Sequence, residues 1–181
     1  LREWQARVQG LRQWCPELGL PGVADEDLAL DAEHWLRPLL EGRARLSEIT
    51  PAALAEALRQ RLDYAQRRHV EELAPAEIEV PSGMRRPVLY TLGDAPVLAV
   101  KLQEMFGLAD TPRIAKGRVP LVLHLLSPRR TPLQVTQDLR GFWERTYPEV
   151  KREMKGRYPK HPWPDDPWTA TATHRAKPRG Q

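Results

Sequence analysis

Apolar positions change their spacing twice along this chain. At the start Leu1, Trp4, Val8, Leu11 and Cys15 recur three and four residues apart, the repeat that lines one face of an α-helix. Pro16 ends that run because it lacks the amide donor a helix needs. After the Leu20-Pro21-Gly22 loop, Asp25 is placed to cap a second helix whose stripe is Leu28, Ala32, Trp35, Leu36 and Leu39. Thr50-Pro51 opens a third, since threonine caps and proline at the first turn forgoes only a donor that would be unpaired anyway; Leu54, Leu58 and Leu62 mark its buried side. A fourth helix runs from about Tyr64 to Leu73 and stops at Ala74-Pro75.

The period then falls to two. Glu77-Ile78-Glu79-Val80 alternates, Pro81-Ser82-Gly83 is turn chemistry, and the runs 87–90, 96–100 and 121–126 read as strands, with Gln134-Val135 as another. Val100 to Phe106 reads as a short helix stopped by Gly107. Helical spacing returns from Asp138 to Thr146, with Leu139, Phe142 and Trp143 inward, and Pro148 opens a last helix ending at Gly156. Beyond it, Gly156 to Pro164 holds too many prolines for a helix and reads as an extended cationic strap. From Trp168 onward apolar periodicity is absent, so 168–181 reads as a disordered basic tail. The fold class is α+β: a helical lead-in at 1–73, a small β-rich unit at 74–135, and C-terminal helices with a Pro/aromatic basic strap at 136–167.

Composition narrows the class. A chain of 181 residues, 41% hydrophobic and 29% charged, sits in the globular range, and its 18 prolines favour many short elements. A single cysteine, Cys15, excludes an internal disulfide and a cysteine-built zinc site, and fits a reducing, cytoplasmic setting. Membrane spanning is excluded by the lack of any apolar run near the roughly 20 residues a bilayer demands. An opening of Leu1-Arg2-Glu3-Trp4, with no initiator Met, reads as an internal piece of a longer chain. Charge is uneven: residues 1–110 carry 13 basic against 18 acidic side chains, and residues 111–181 carry 15 against 6. A basic region on an acidic scaffold is the footprint of a polyanion-binding surface, or of a plain cationic one.

Catalytic patterns are missing. No GxxxxGK[ST] loop is present to cradle a nucleotide's phosphates, so no cofactor is expected within this chain. Asp31-Ala32-Glu33-His34 lies inside an amphipathic helix and reads as solvated helix charge. The five histidines, at 34, 69, 124, 161 and 174, lack the close spacing of a zinc site, and no serine sits in a GxSxG elbow. Binding remains. Arg113, Lys116 and Arg118 lie in a glycine-containing loop that feeds the strand 121–126, where cations can reach phosphates. Lys151, Arg152 and Lys155 share a helix face. Arg157, Tyr158, Lys160 and Trp163 extend the candidate set along the strap, where Tyr158, His161 and Trp163 either stack on unpaired bases or pack the strap onto its own domain.

Several phrases stand in one order: Glu72-Leu73-Ala74-Pro75, Val80-Pro81-Ser82-Gly83, Pro96 to Gly107, Thr111-Pro112-Arg113-Ile114-Ala115, Gly117-Arg118-Val119-Pro120, Leu123 to Pro128, Gln134-Val135-Thr136 and Glu153 to Pro164. Together they resemble the C-terminal region of HrpB-type bacterial ATP-dependent helicases, of the DEAH/RHA group in superfamily 2, over about residues 62–167. Departures fall at Leu62-Asp63-Tyr64-Ala65, where the family usually has a Pro-Trp pair, and across residues 85–94. The resemblance implies that residues 74–135 correspond to all or part of an OB-like unit, and that the parent has motor domains that bind ATP and Mg. It implies partners too: single-stranded RNA or DNA, and those motor domains. The expected role is an accessory domain that guides single strands. The alternative is a module that docks a protein partner or the motor without touching nucleic acid, and an enzyme in its own right is the remote third reading.

Overall fold

A computed structural model describes residues 1–176, which gather into two units. The first comprises Leu1–Pro75 with Tyr90–Asp94, and the second Ala76–Leu89 with the chain from Ala95 on. The segments 74–135 and 136–167, read separately from sequence, thus fall almost wholly in one unit.

Unit 1 is helical: α1 (Arg2–Trp14), α2 (Asp25–Leu30), α3 (Ala32–Leu40), α4 (Pro51–Arg59) and α5 (Tyr64–Leu73). Its core takes Val8, Leu11 and Cys15 from the α1 stripe together with Val23, Leu58, Leu62 and Val70. Caps set the boundaries of α4 and α5. The Thr50 hydroxyl accepts from the Ala53 amide at 3.2 Å, and Asp63 and Gln66 satisfy each other's backbone amides at 2.8 and 3.0 Å. The second expected helix is two. It breaks at Asp31, whose carboxylate pairs with Arg61 and His34. Asp25 also departs from its expected capping role, accepting instead from the Gln5 side chain at 3.0 Å. Arg7 ties α1 to the end of α5: its Nε donates to the Ala74 carbonyl at 2.8 Å, its guanidinium meets Glu71 at 3.0 Å and it lies over the Tyr90 ring. Burial raises the Tyr90 phenol pKa, so the ring stays neutral while its hydroxyl donates to Pro75.

Unit 2 is built on a five-stranded mixed sheet in the order β1-β2-β3-β6-β7, from Glu77–Glu79, Arg85–Leu89, Val97–Lys101, Val122–Leu126 and Pro132–Thr136. Every neighbouring pair is antiparallel except β3 with β6, which run parallel in the register Val97↔Val122 to Lys101↔Leu126. Val88, Leu98, Val100, Leu123 and Leu125 alternate onto the buried face. The sheet is open: no ladder joins β7 to β1 among the described residues. A separate hairpin, β4 (Arg113–Ile114) with β5 (Val119–Pro120), occupies what reads from sequence as a plain loop.

Three elements differ from expectation. The helix expected at 100–106 is the end of β3 followed by a 3-10 turn, Leu102–Met105, buried all round instead of on one stripe. The helices expected at 138–146 and 148–156 are one continuous run. It passes from α6 (Leu139–Gly141) through a π-type turn (Phe142–Thr146) into α7 (Tyr147–Arg157), because proline near the first turn of α7 costs no amide bond the wider turn would have used. Residues 168–176 are placed against the unit where a disordered tail was expected; residues 177–181 of that segment lie outside the described residues. Thr173 donates to the Gln103 carbonyl at 3.1 Å. Gly107, at φ 87°, lets the backbone pass so closely that a Cβ there would lie 2.9 Å from the Ala170 oxygen.

One buried ion pair locks β2 to the turn after β3. Glu104 is fully buried, and its Oε1 accepts from Arg86 at 2.7 and 3.2 Å and from the Ser82 hydroxyl at 3.1 Å. Arg86→Ala therefore strands a buried carboxylate and is expected to destabilise the chain by about 3–5 kcal/mol. In urea denaturation the midpoint should drop sharply, whereas removal of the exposed Arg68–Glu72 pair should leave it almost in place.

Candidate nucleic-acid interface

The helical run of unit 2 is nailed down by aromatic rings. Phe106, Phe142, Trp143 and Tyr147 pack together, with Trp143 and Tyr147 edge to face at 5.3 Å between centroids and 88° between planes. Each polar tip finds a carbonyl: Trp143 donates to Leu108 at 2.8 Å and Tyr147 to Pro164 at 2.8 Å. Burial raises the Tyr147 pKa, which keeps the phenol a donor. The second of these bonds holds the strap beside α7. The Gly107 amide holds the chain just beyond it at the Pro167 carbonyl at 2.8 Å, and within the strap the Trp163 indole donates to the Tyr158 carbonyl at 2.9 Å.

A groove forms between α7 and this strap. Its walls include Tyr147, Lys151, Arg152, Lys155, Asp165 and Trp168, with Glu144 at one edge. Spacings of one, three and four on α7 bring the three cations here, as the sequence implies, while buried Met154 anchors the opposite face. Lys151 is paired with Asp165, a carboxylate otherwise 97% exposed. Arg152 and Lys155 are exposed and have no ion-pair partner among the described residues. Trp168 is positioned by Asp166, whose carboxylate accepts from the Trp168 and Thr169 amides at 3.1 and 3.3 Å and from the Thr169 hydroxyl at 2.8 Å. A cationic rim with an indole beside it offers charge to a phosphate and a π-face to a base.

The other expected residues lie elsewhere. Arg113, Lys116 and Arg118 belong to the β4–β5 hairpin, all exposed, with Arg113 donating to the Gly117 carbonyl at 3.1 Å. Lys116 (φ 59°) and Gly117 (φ 76°) are the two central residues of a turn closed from Arg118 to Ala115. Arg157 is engaged by Glu153 at 3.2 Å and by the Tyr158 ring. Tyr158 is half-buried against His161, and Lys160 is exposed. Trp163 is only 8% exposed, so of the two arrangements open to it the ring packs on its own domain and offers no face to a base. Sequence reasoning missed Tyr147, Asp165 and Trp168; the phrase Asp-Pro-Trp carried a signal, since aspartate bonds the amides just after it.

A family model described as ATP-dependent helicase C-terminal matches residues 35–167. The chain belongs to that family, the C-terminal domain of HrpB-type helicases. It is 45% identical to the ATP-dependent RNA helicase HrpB of Escherichia coli K12 over 96% of its own length. It superposes on the E. coli DExH-box NTPase HrpB with a TM-score of 0.89 (45% identity, 96% of this chain and 22% of that one). A second structure, the E. coli DEAH/RHA helicase HrpB, matches at a TM-score of 0.73 with 43% identity over 89% of this chain and 20% of that one. The chain thus spans about a fifth of the length of these relatives.

His161 supplies a pH test of how the strap packs. Desolvation, and then the charge of Lys101, hold its pKa below the ordinary histidine value of 6.5. The folded state binds its proton less readily than the unfolded state, so its stabilising effect is complete above pH 6.5 and fades as pH drops through the lowered pKa. Thermal melts from pH 7.5 to 5 should show a decline that His161→Asn makes shallower.

Proposed function

We propose that this chain serves an ATP-dependent helicase of the HrpB type as an accessory domain that holds single-stranded nucleic acid in the α7–strap groove. In such a helicase the motor domains would bind ATP with Mg and hydrolyse the ATP, and those domains would be its partner within the parent. The observation that carries the proposal is the gathering of Lys151, Arg152 and Lys155 with Trp168 in one groove, two of the cations being unpaired among the described residues. Charge at that density attracts a polyanion, and the indole accepts any base by stacking, which suits a strand of changing sequence. RNA is the first probe because the E. coli relative is described as an RNA helicase. A five-stranded, partly open sheet is also the build of OB-like units, which carry single strands.

A second reading rests on unit 1. Leu30 is 90% exposed, Leu46 67% and Tyr64 76%, a share of large apolar surface that favours docking of the helical unit on another part of the parent or on a protein partner.

A salt titration of labelled single-stranded RNA separates the two readings, with DNA of the same sequence alongside. The affinity should fall steeply with salt, and Arg152→Ala with Lys155→Ala should flatten the log–log slope by about 1.4, since each phosphate neutralised on a single strand contributes about 0.7. Asp165→Asn, which frees Lys151, should tighten binding. Negligible binding that none of these changes alters would favour docking.

A further inference from the structure

The turn between β6 and β7 contains two arginines that the groove does not use. Leu126 ends β6 and Pro132 begins β7, and the Ser127 amide donates to the Thr131 carbonyl at 2.8 Å, leaving a three-residue loop of Pro128, Arg129 and Arg130. Arg130 donates its amide to the Ser127 carbonyl at 2.8 Å, and Thr131 donates to the Ser127 hydroxyl at 3.1 Å. Ser127 itself is 1% exposed. With proline at the favoured position of the turn and the serine bonded from three directions, the loop is stiff.

Arg130 stands where glycine is preferred. Its φ is 65°, the left-handed conformation that closes a three-residue hairpin, and an L side chain is strained there. Both Arg129 and Arg130 are exposed, and neither has an ion-pair partner among the described residues. Local stability would be served better by glycine or asparagine at 130, so the fold itself does not call for the arginine there. The neighbourhood points to a use. Lys101 pairs with Leu126 in the parallel ladder and so sits at this end of the sheet, and its charge is felt by His161 of the strap, next to exposed Lys160. Lys101, Arg129 and Arg130 therefore stand at the same end of the sheet, with no acidic side chain within the turn itself.

We propose that the Arg129-Arg130 tip is a second phosphate-contact site, which binds the phosphodiester backbone of the same single strand that the α7–strap groove holds. The proposal rests on the nucleic-acid reading of that groove. A rigid turn suits the task, since the guanidinium is presented without ordering a loop, and arginine meets a phosphate with two parallel donors.

The test uses the full 181-residue chain, a fluorescein-labelled oligouridine and fluorescence anisotropy across salt, with melting temperature measured on each variant. Arg130→Gly removes the cation and relieves the left-handed strain. It should raise the melting temperature by about 2 °C while weakening RNA binding about 3- to 10-fold and flattening the salt slope by about 0.7. Arg129→Ser should weaken binding similarly with the melting temperature unchanged. If both variants fold and bind with unaltered affinity and slope, while Arg152→Ala with Lys155→Ala weakens binding, the tip is no contact site and the groove reading stands. If the tip variants weaken binding and the groove variant does not, the tip is upheld and the groove is not. Loss of melting cooperativity in Arg130→Gly would also count against the proposal, since it would make the arginine a structural member of the turn.

Discussion

The hydroxyl of Tyr147 donates to the carbonyl of Pro164, and the interface depends on that bond. Tyr147 is 2% exposed, wedged among Phe106, Phe142 and Trp143, and so cannot turn its hydroxyl to water without leaving the core. A strap lifted away would leave a buried donor unmet, at a cost of about 1–3 kcal/mol. The bond from the Gly107 amide to the Pro167 carbonyl adds a second tie, while the Trp163 indole, bonded to the Tyr158 carbonyl, fixes the shape of the strap itself. A segment too rich in proline to form a helix is held in place because donors outside it, the buried Tyr147 hydroxyl and the Gly107 amide, bond to its carbonyls. The groove beside α7 is therefore formed before any ligand arrives, which spares binding the entropy of ordering it.

The excess of cations in the last third of the chain resolves into two populations. Arg140, Arg145 and Arg157 are matched to Asp110, Asp138 and Glu153, and Lys151 to Asp165. These pairs organise the unit or tie one segment to another. Arg129, Arg130, Arg152, Lys155 and Lys160 have no such match among the described residues and lie exposed. Net charge alone could not separate a solvated surface from a polyanion site. The separation comes from which carboxylates the fold brings within reach.

How much was legible in the sequence follows from how local each signal is. The helices α1, α4 and α5 were readable because stripe and stop lie within a few residues, joined in α4 by the Thr50-Pro51 start. Individual strands were readable as well, but not that β3 and β6 run parallel across an intervening stretch of some twenty residues, because no local pattern encodes the partner. The β4–β5 hairpin escaped since two-residue strands show no alternation and its turn has Lys116 where asparagine or glycine would have announced it. Leu102, Met105 and Phe106 have helical spacing yet form a 3-10 turn, because burial on every side removes the amphipathic demand for a regular helix. In the site, Lys151, Arg152 and Lys155 were found by helical spacing, while Trp168 was not, since it is placed by one Asp166 carboxylate and backbone bonds that leave no apolar period.

The central claim is that single-stranded nucleic acid lies between α7 and the strap, and photo-crosslinking with a 4-thiouridine-substituted RNA, read by peptide mass spectrometry, tests it most directly. The account expects adducts within Tyr147–Arg157 and within residues 163–170, Trp168 foremost. Adducts confined to residues 1–75, or none in either segment at saturating RNA, would contradict it.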